Sequence, residues 1–204
     1  MQLEHVVPFG RSLNEYRAMF DLSQDDLGRK ILGVGDGPAS FNTEMRERGH
    51  SVISVDPLYS FTGKEIQRQF DKVVNDVFEQ VKCTPSDWVW TYHKSVDDLR
   101  MHRVSTLEMF LSDYEIGKEQ KRYRIGELPR LPELSDHVFD LALCSHFLFL
   151  FSEHFDAQFH VTSMMEMWRV AKEVRVFPLL TLGGDSISTC WSSDSGVNTT
   201  RVCR

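Results

Sequence analysis

Two spacings of apolar residues alternate along the chain. Leu13, Tyr16, Met19 and Phe20 recur at helical intervals behind Ser12, a good capping residue, and predict a helix over 13–22. A short apolar run follows at Ile31 and Leu32 and stops at glycines. A second helical pattern over 39–48 then ends at Gly49, which suits a left-handed helix terminus. Residues 51–56 are short and β-branched and run into Pro57, which cannot donate a ladder hydrogen bond, so they predict a second strand. The unit is βαβ, with parallel strands and a right-handed crossover.

Residues 62–81 carry a longer helical pattern. Residues 88–114 mix aromatic and aliphatic positions with charges, and predict amphipathic helices beyond those a minimal sheet needs. The expectation is a helical cap inserted over 87–121. Residues 123–125 predict a short strand, 126–132 a proline-punctuated loop, and 139–144 a central buried strand. A helix over 164–170 and a strand over 174–180 complete the alternation. Strand and helix in turn imply a doubly wound, mostly parallel sheet with helices on both faces. After Gly183 and Gly184 large apolar residues thin out, and 185–204 is expected to be an irregular tail. One domain over 1–184 suits a chain of 204 residues.

The formal charge of −7 argues against a broad phosphate-binding face, so a nucleic-acid partner is not expected. Cys83, Cys144, Cys190 and Cys203 form no C-x-x-C pair and suggest neither a zinc knuckle nor a disulfide framework. The first ten residues lack the pattern of a secretory signal, and the apolar run 139–151 is too short for a bilayer span. The expectation is a cytoplasmic protein without a membrane partner; nothing in the sequence fixes its oligomeric state.

Chemistry concentrates at the first strand exit. Gly33, Gly35 and Gly37 remove Cβ where the chain turns from strand into helix, which lets a ligand lie against backbone N–H groups, and Asp36 sits within that turn. Asp56 ends the next strand, where a carboxylate can accept hydrogen bonds from two ribose hydroxyls. Turn, helix and acid in this order predict a nucleoside ligand.

The segments Ile31-Leu32-Gly33-Val34-Gly35-Asp36-Gly37-Pro38, Val55-Asp56-Pro57-Leu58-Tyr59 and Phe139-Asp140-Leu141-Ala142-Leu143-Cys144-Ser145-His146 resemble class I S-adenosylmethionine-dependent methyltransferases. That resemblance implies a Rossmann-like fold and S-adenosyl-L-methionine as cofactor. Gly33, Gly35, Asp36 and Gly37 would line it, Asp56 would hold its ribose, and Glu127 and Leu128 would meet the adenine. Ser145 and His146 would stand beside the methyl-transfer site, His146 as a candidate base, with a small molecule as methyl acceptor. A noncatalytic S-adenosylmethionine-binding or scaffold protein of the same fold is the alternative. An NAD-binding reading fits the glycines less well, because Pro38 or Ser40 falls where the dinucleotide fingerprint has its third glycine.

Glu153, His154, Asp156 and His160 lack a recognised ligand spacing and are read as a solvated face, with no metal expected. Trp88, Trp90, Tyr92 and His93 are read as a packing face in the cap. The antiparallel strand pair that usually closes the family's sheet has no counterpart after 184, as if the C-terminus were truncated or shifted in frame.

Overall fold

The structure is a computed structural model; it describes residues 8–84, 89–150 and 154–180, together with the backbone of Thr200–Val202. Its centre is a six-stranded sheet: β1 (Ile31–Val34), β2 (Val52–Val55), β3 (Tyr123–Arg124), β4 (Phe139–Ser145), β5 (Ala171–Phe177) and β6 (Thr200–Val202). The order is β3-β2-β1-β4-β5-β6 with every pairing parallel, so strand order reverses between β1 and β4. This is the Rossmann-like, doubly wound α/β fold expected from the alternation, and ligands of such sheets sit beyond the carboxyl ends of the strands at the reversal.

Side-chain alternation divides the core between the two faces. Ile31, Val52, Leu141 and Leu143 meet α1 (Leu13–Phe20) and α3 (Phe41–Glu47) on one face. Leu32, Val34, Ala142 and Cys144 meet Met164, Met167 and Val170 of α6 (Ala157–Val170) on the other. Helix α1 starts with the capping box that Ser12 announces, closed by Glu15 three residues later. Gly49, at φ +77°, follows α3 as the left-handed residue expected there. A short α2 (Gln24–Leu27), capped by Ser23, leads into β1.

Helices α4 (Gly63–Cys83) and α5 (Val96–Glu119) fill the crossover from β2 to β3. The sequence reading made 87–121 a cap, but the C-terminal half of α5 belongs to the sheet layer. Its Phe110 and Tyr114 pack with Tyr59 and Tyr123, at centroid distances of 4.7–6.3 Å. Only the N-terminal half reaches the cavity described below. The reason is burial: this half-helix carries large rings that Tyr59, Tyr123 and α4 cover.

Two further expectations need correction. Helix α6 runs into β5 without a loop, so the strand begins at Ala171 rather than 174. The tail is not irregular throughout, because Thr200–Val202 pairs in parallel with β5. Two β-branched residues there extend the ladder over a sheet edge that would otherwise be open. The expected loss of an antiparallel pair bears mostly on residues 181–199, outside the described residues. No helix of the described residues is long and apolar enough to cross a membrane.

Candidate functional site

Beyond Val34 the backbone turns at Gly35 (φ +68°) and Gly37 (φ +55°), a region L side chains rarely occupy. The Gly35 N–H donates to the Val55 carbonyl at 2.9 Å, holding the turn against the end of β2. A Cβ on Gly37 would meet nothing within 4 Å, so this peptide faces open space.

Gly33 has a different purpose from the one expected. A Cβ there would lie 1.8 Å from Oδ2 of Asp36, so the missing side chain makes room for that carboxyl to fold back under the turn. Gly33 does not line the cavity. Asp36 borders it, but its carboxyl is committed inward: it accepts from Tyr16 Oη at 2.6 Å and from Ser54 Oγ at 2.7 Å. Asp36 thus ties α1, the turn and β2 together. Burial pushes its pKa up to about 7 against those two hydrogen bonds, with the nearby Asp56 charge adding to the rise.

Asp56 points at the turn. Its Oδ2 accepts the Gly37 N–H at 2.7 Å and its Oδ1 accepts the Leu58 N–H at 2.7 Å, which also caps the 3-10 turn Pro57–Ser60. Tyr59 Oη donates to the Gly37 carbonyl at 2.8 Å, so both sides of that residue are pinned. Each carboxylate oxygen has a second lone pair left for a ligand hydroxyl. Burial lifts Asp56 to about 6, opposed by the two backbone donors.

A cavity of about 950 Å³ opens from this corner. It brings together Gly35, Asp36, Gly37, Asp56, Glu127, Leu128, Ser145 and His146, eight of the nine residues singled out in the sequence. Gly126 allows the Glu127–Leu128 wall to close in, since a Cβ there would stand 2.7 Å from Val55 Cγ1. At the other end, Ser145 Oγ and His146 Nδ1 lie 2.9 Å apart. His146 adopts φ +53° and donates its backbone N–H to Phe177 O at 2.6 Å. Burial, then the charges of Arg11 and Arg103, hold the imidazole pKa well below its ordinary value. His146 is therefore neutral at physiological pH, and the same surroundings weaken its imidazole as a base.

Sequence reasoning missed the rest of the wall. Phe147, Phe155 and Phe159 make an aromatic side, the last two stacked at 4.1 Å. Arg11 and Arg103 also line the cavity. Arg103 holds Glu15 by two hydrogen bonds of 2.7 and 3.0 Å, whereas Arg11 Nε is 3.9 Å from Glu15 and donates from Nη1 to the Phe9 and Gly10 carbonyls. Burial acts to raise the Glu15 pKa, but hydrogen bonds from His93 and Arg103 and the guanidinium charges outweigh it and leave it far below the carboxylate range. Burial and Arg103 lower Arg11 to about 9. Two guanidinium groups thus share one carboxylate, and this end of the cavity favours an anionic group. An arginine before α1 and another on a mixed helix carry no periodic signal, so only tertiary structure shows them to be neighbours.

Fold and cavity define a Rossmann-like α/β protein with a large cavity at the strand-order reversal. The chain is 32% identical over 186 residues to a Methanocaldococcus jannaschii protein described as "Uncharacterized protein MJ0045", covering 91% of this chain and 83% of the other. It belongs to the same family as that archaeal protein. No protein-family model matches the chain.

Proposed function

We propose that the protein is an S-adenosylmethionine-dependent methyltransferase acting on a small-molecule acceptor. The observation that carries this reading is the joint made by Asp56 and Gly37 at the mouth of the cavity, a carboxylate and a side-chain-free turn held 2.7 Å apart. A ribose edge bound there would donate to the free lone pairs of Asp56 while its base lies along Glu127 and Leu128. The cavity is at the upper end of the usual range for ligand sites, with room for a nucleoside cofactor and a small acceptor side by side.

S-adenosylmethionine supplies an electrophilic methyl group, so the protein's tasks are alignment, exclusion of water and, for some acceptors, removal of a proton. The aromatic wall keeps water from the reacting end. His146, 2.9 Å from Ser145 Oγ, is the candidate base for a hydroxyl or nitrogen acceptor: its lowered pKa keeps it unprotonated at neutral pH but also weakens its pull on the proton. Arg11 and Arg103 supply positive charge for a carboxylate at that end. The reading assigns the enzyme to the cytoplasm, in keeping with the free thiols of Cys83 and Cys144.

A dinucleotide such as NAD is the second reading, favoured by the all-parallel strand order β3-β2-β1-β4-β5-β6. The start of α3 argues against it. There Gly10 packs its backbone against Pro38 and Ala39, where its own Cβ would lie 2.0 Å from the Pro38 carbonyl, and Ser40 Oγ donates to Glu44 at 2.7 Å. A covered helix start already facing a carboxylate is a poor seat for a pyrophosphate.

Thermal-shift measurements with S-adenosylhomocysteine and with NAD test the choice, since a ligand specific for the folded state raises the melting temperature. Stabilisation by S-adenosylhomocysteine that disappears in Asp56→Ala is expected. Stabilisation by NAD alone overturns the cofactor, and binding without transfer of labelled methyl to any acceptor pool reduces the protein to a noncatalytic binder.

A further inference from the structure

At the start of α5, outside the cavity, three side chains with metal-ligating chemistry converge. His93 precedes the helix, and Asp98 and His102 stand one helical turn apart on it; one ligand atom from each lies within 4.8 Å of the others. Each is already oriented. Asp98 Oδ2 accepts the Lys94 N–H at 2.8 Å, which leaves Oδ1 facing His102 Nε2 at 3.7 Å. The His93 and His102 rings meet edge to face with centroids 4.9 Å apart. His93 Nε2 lies 3.4 Å from Glu15 Oε1 and 3.5 Å from Arg103 Nη2, so this nitrogen is engaged by the buried ion pair. Its Nδ1 is buried and without a hydrogen-bond partner among the described residues.

A buried polar nitrogen with no partner is costly unless something meets it. With its proton on Nε2 facing Glu15, His93 has the arrangement of a metal-binding histidine whose other nitrogen donates to a carboxylate, which fixes the tautomer and raises ligand basicity. We propose that His93 Nδ1, Asp98 and His102 bind a divalent transition ion of the zinc class, with Glu15 as the positioning residue behind His93. Two imidazoles and one carboxylate suit such an ion better than magnesium or calcium, which take all-oxygen sets. Bonds of about 2.1 Å place ligand atoms roughly 3.3 Å apart, so the group must close by only about 1.5 Å. His102, with 44% of its side chain exposed, is free to make that movement, and its exposure leaves the remaining coordination positions to water.

The site joins the segment before α5 to the first two turns of the helix, beside Leu99 and Arg103, which face the cavity. A bound ion would staple that wall in place, and through Glu15 it would strengthen the hold on Arg103. The acidic and histidine residues at 153–160 form a separate group: Glu153 is outside the described residues and His160 packs against Phe149 and Phe159. Of the His93-x4-Asp98-x3-His102 spacing, only His93 is picked out in the sequence, as part of an aromatic packing face.

The test is titration of chelator-treated full-length protein with Zn²⁺ by calorimetry, and with Co²⁺ followed by its visible absorption. One ion per chain is expected, with affinity reduced at least about tenfold in both Asp98→Asn and His102→Ala and unchanged in His50→Ala. Circular dichroism reports that each variant is folded, and His102→Gln provides a second probe of the most exposed ligand. Failure to bind in the micromolar range, or binding undiminished by the Asp98 and His102 substitutions, overturns the proposal. Neither readout depends on the methyltransferase reading.

Discussion

The carboxylate of Asp56 accepts the backbone N–H of Gly37 at 2.7 Å, so the end of β2 and the glycine turn move as one unit. A ribose needs the ionised form of that carboxylate, and burial raises its pKa to about 6. The affinity for S-adenosylhomocysteine is therefore full above that value and falls by up to about tenfold per pH unit below it. Calorimetric titration from pH 5 to pH 8 measures this; a flat profile removes Asp56 from the ribose role.

Gly33 and Gly37 should respond differently to alanine. In Gly33→Ala the new methyl overlaps Asp36 Oδ2 and must expel the carboxyl from Tyr16 and Ser54, at a cost of about 3 kcal/mol or more. Gly37→Ala meets no neighbour and pays only for its left-handed backbone, about 1–2 kcal/mol. Urea denaturation of the two variants ranks them.

Asp36 makes stability depend on pH in a direction opposite to most ion-paired carboxylates. Its folded-state pKa, about 7, lies above that of the unfolded chain, so its contribution is fully present below about pH 4 and is lost as pH rises through 7. The buried histidines act in the opposite sense over part of this range, and comparison with a variant isolates the aspartate. Asp36→Asn should gain melting temperature relative to wild type between pH 5 and pH 8, and a constant difference would show that Asp36 titrates normally.

Arg103 and Glu15 form a buried pair, each about 5% exposed. Arg103→Met leaves Glu15 enclosed with weaker partners and should destabilise the fold by about 3–5 kcal/mol. Adding Glu15→Gln removes the stranded charge and should recover most of that loss. A double-mutant cycle in guanidinium chloride gives the coupling.

The fold was legible because β1, β2 and β4 are short, mostly apolar runs and the helices around them keep their period. The proximity of Asp56 to the glycine turn was legible because both lie at strand ends, where sequence order fixes spatial order. Gly33 was misassigned because a glycine needed for a ligand and one needed for a folded-back carboxyl look the same in sequence. Arg11, Arg103 and the phenylalanine wall come from four separate elements and meet only when the sheet is assembled. The cap was misjudged because the aromatic stripe on α5 resembles a lid until Tyr59 and Tyr123 are seen to cover it.

Helix α5 spans 24 residues, a rod of about 36 Å, with one end clamped among tyrosines at the β3 edge and the other beside the cavity. A stiff rod held in this way behaves as a lever. Any tilt of the rod that repacks Tyr114 at the β3 edge would also displace Leu99 and Arg103 at the cavity wall.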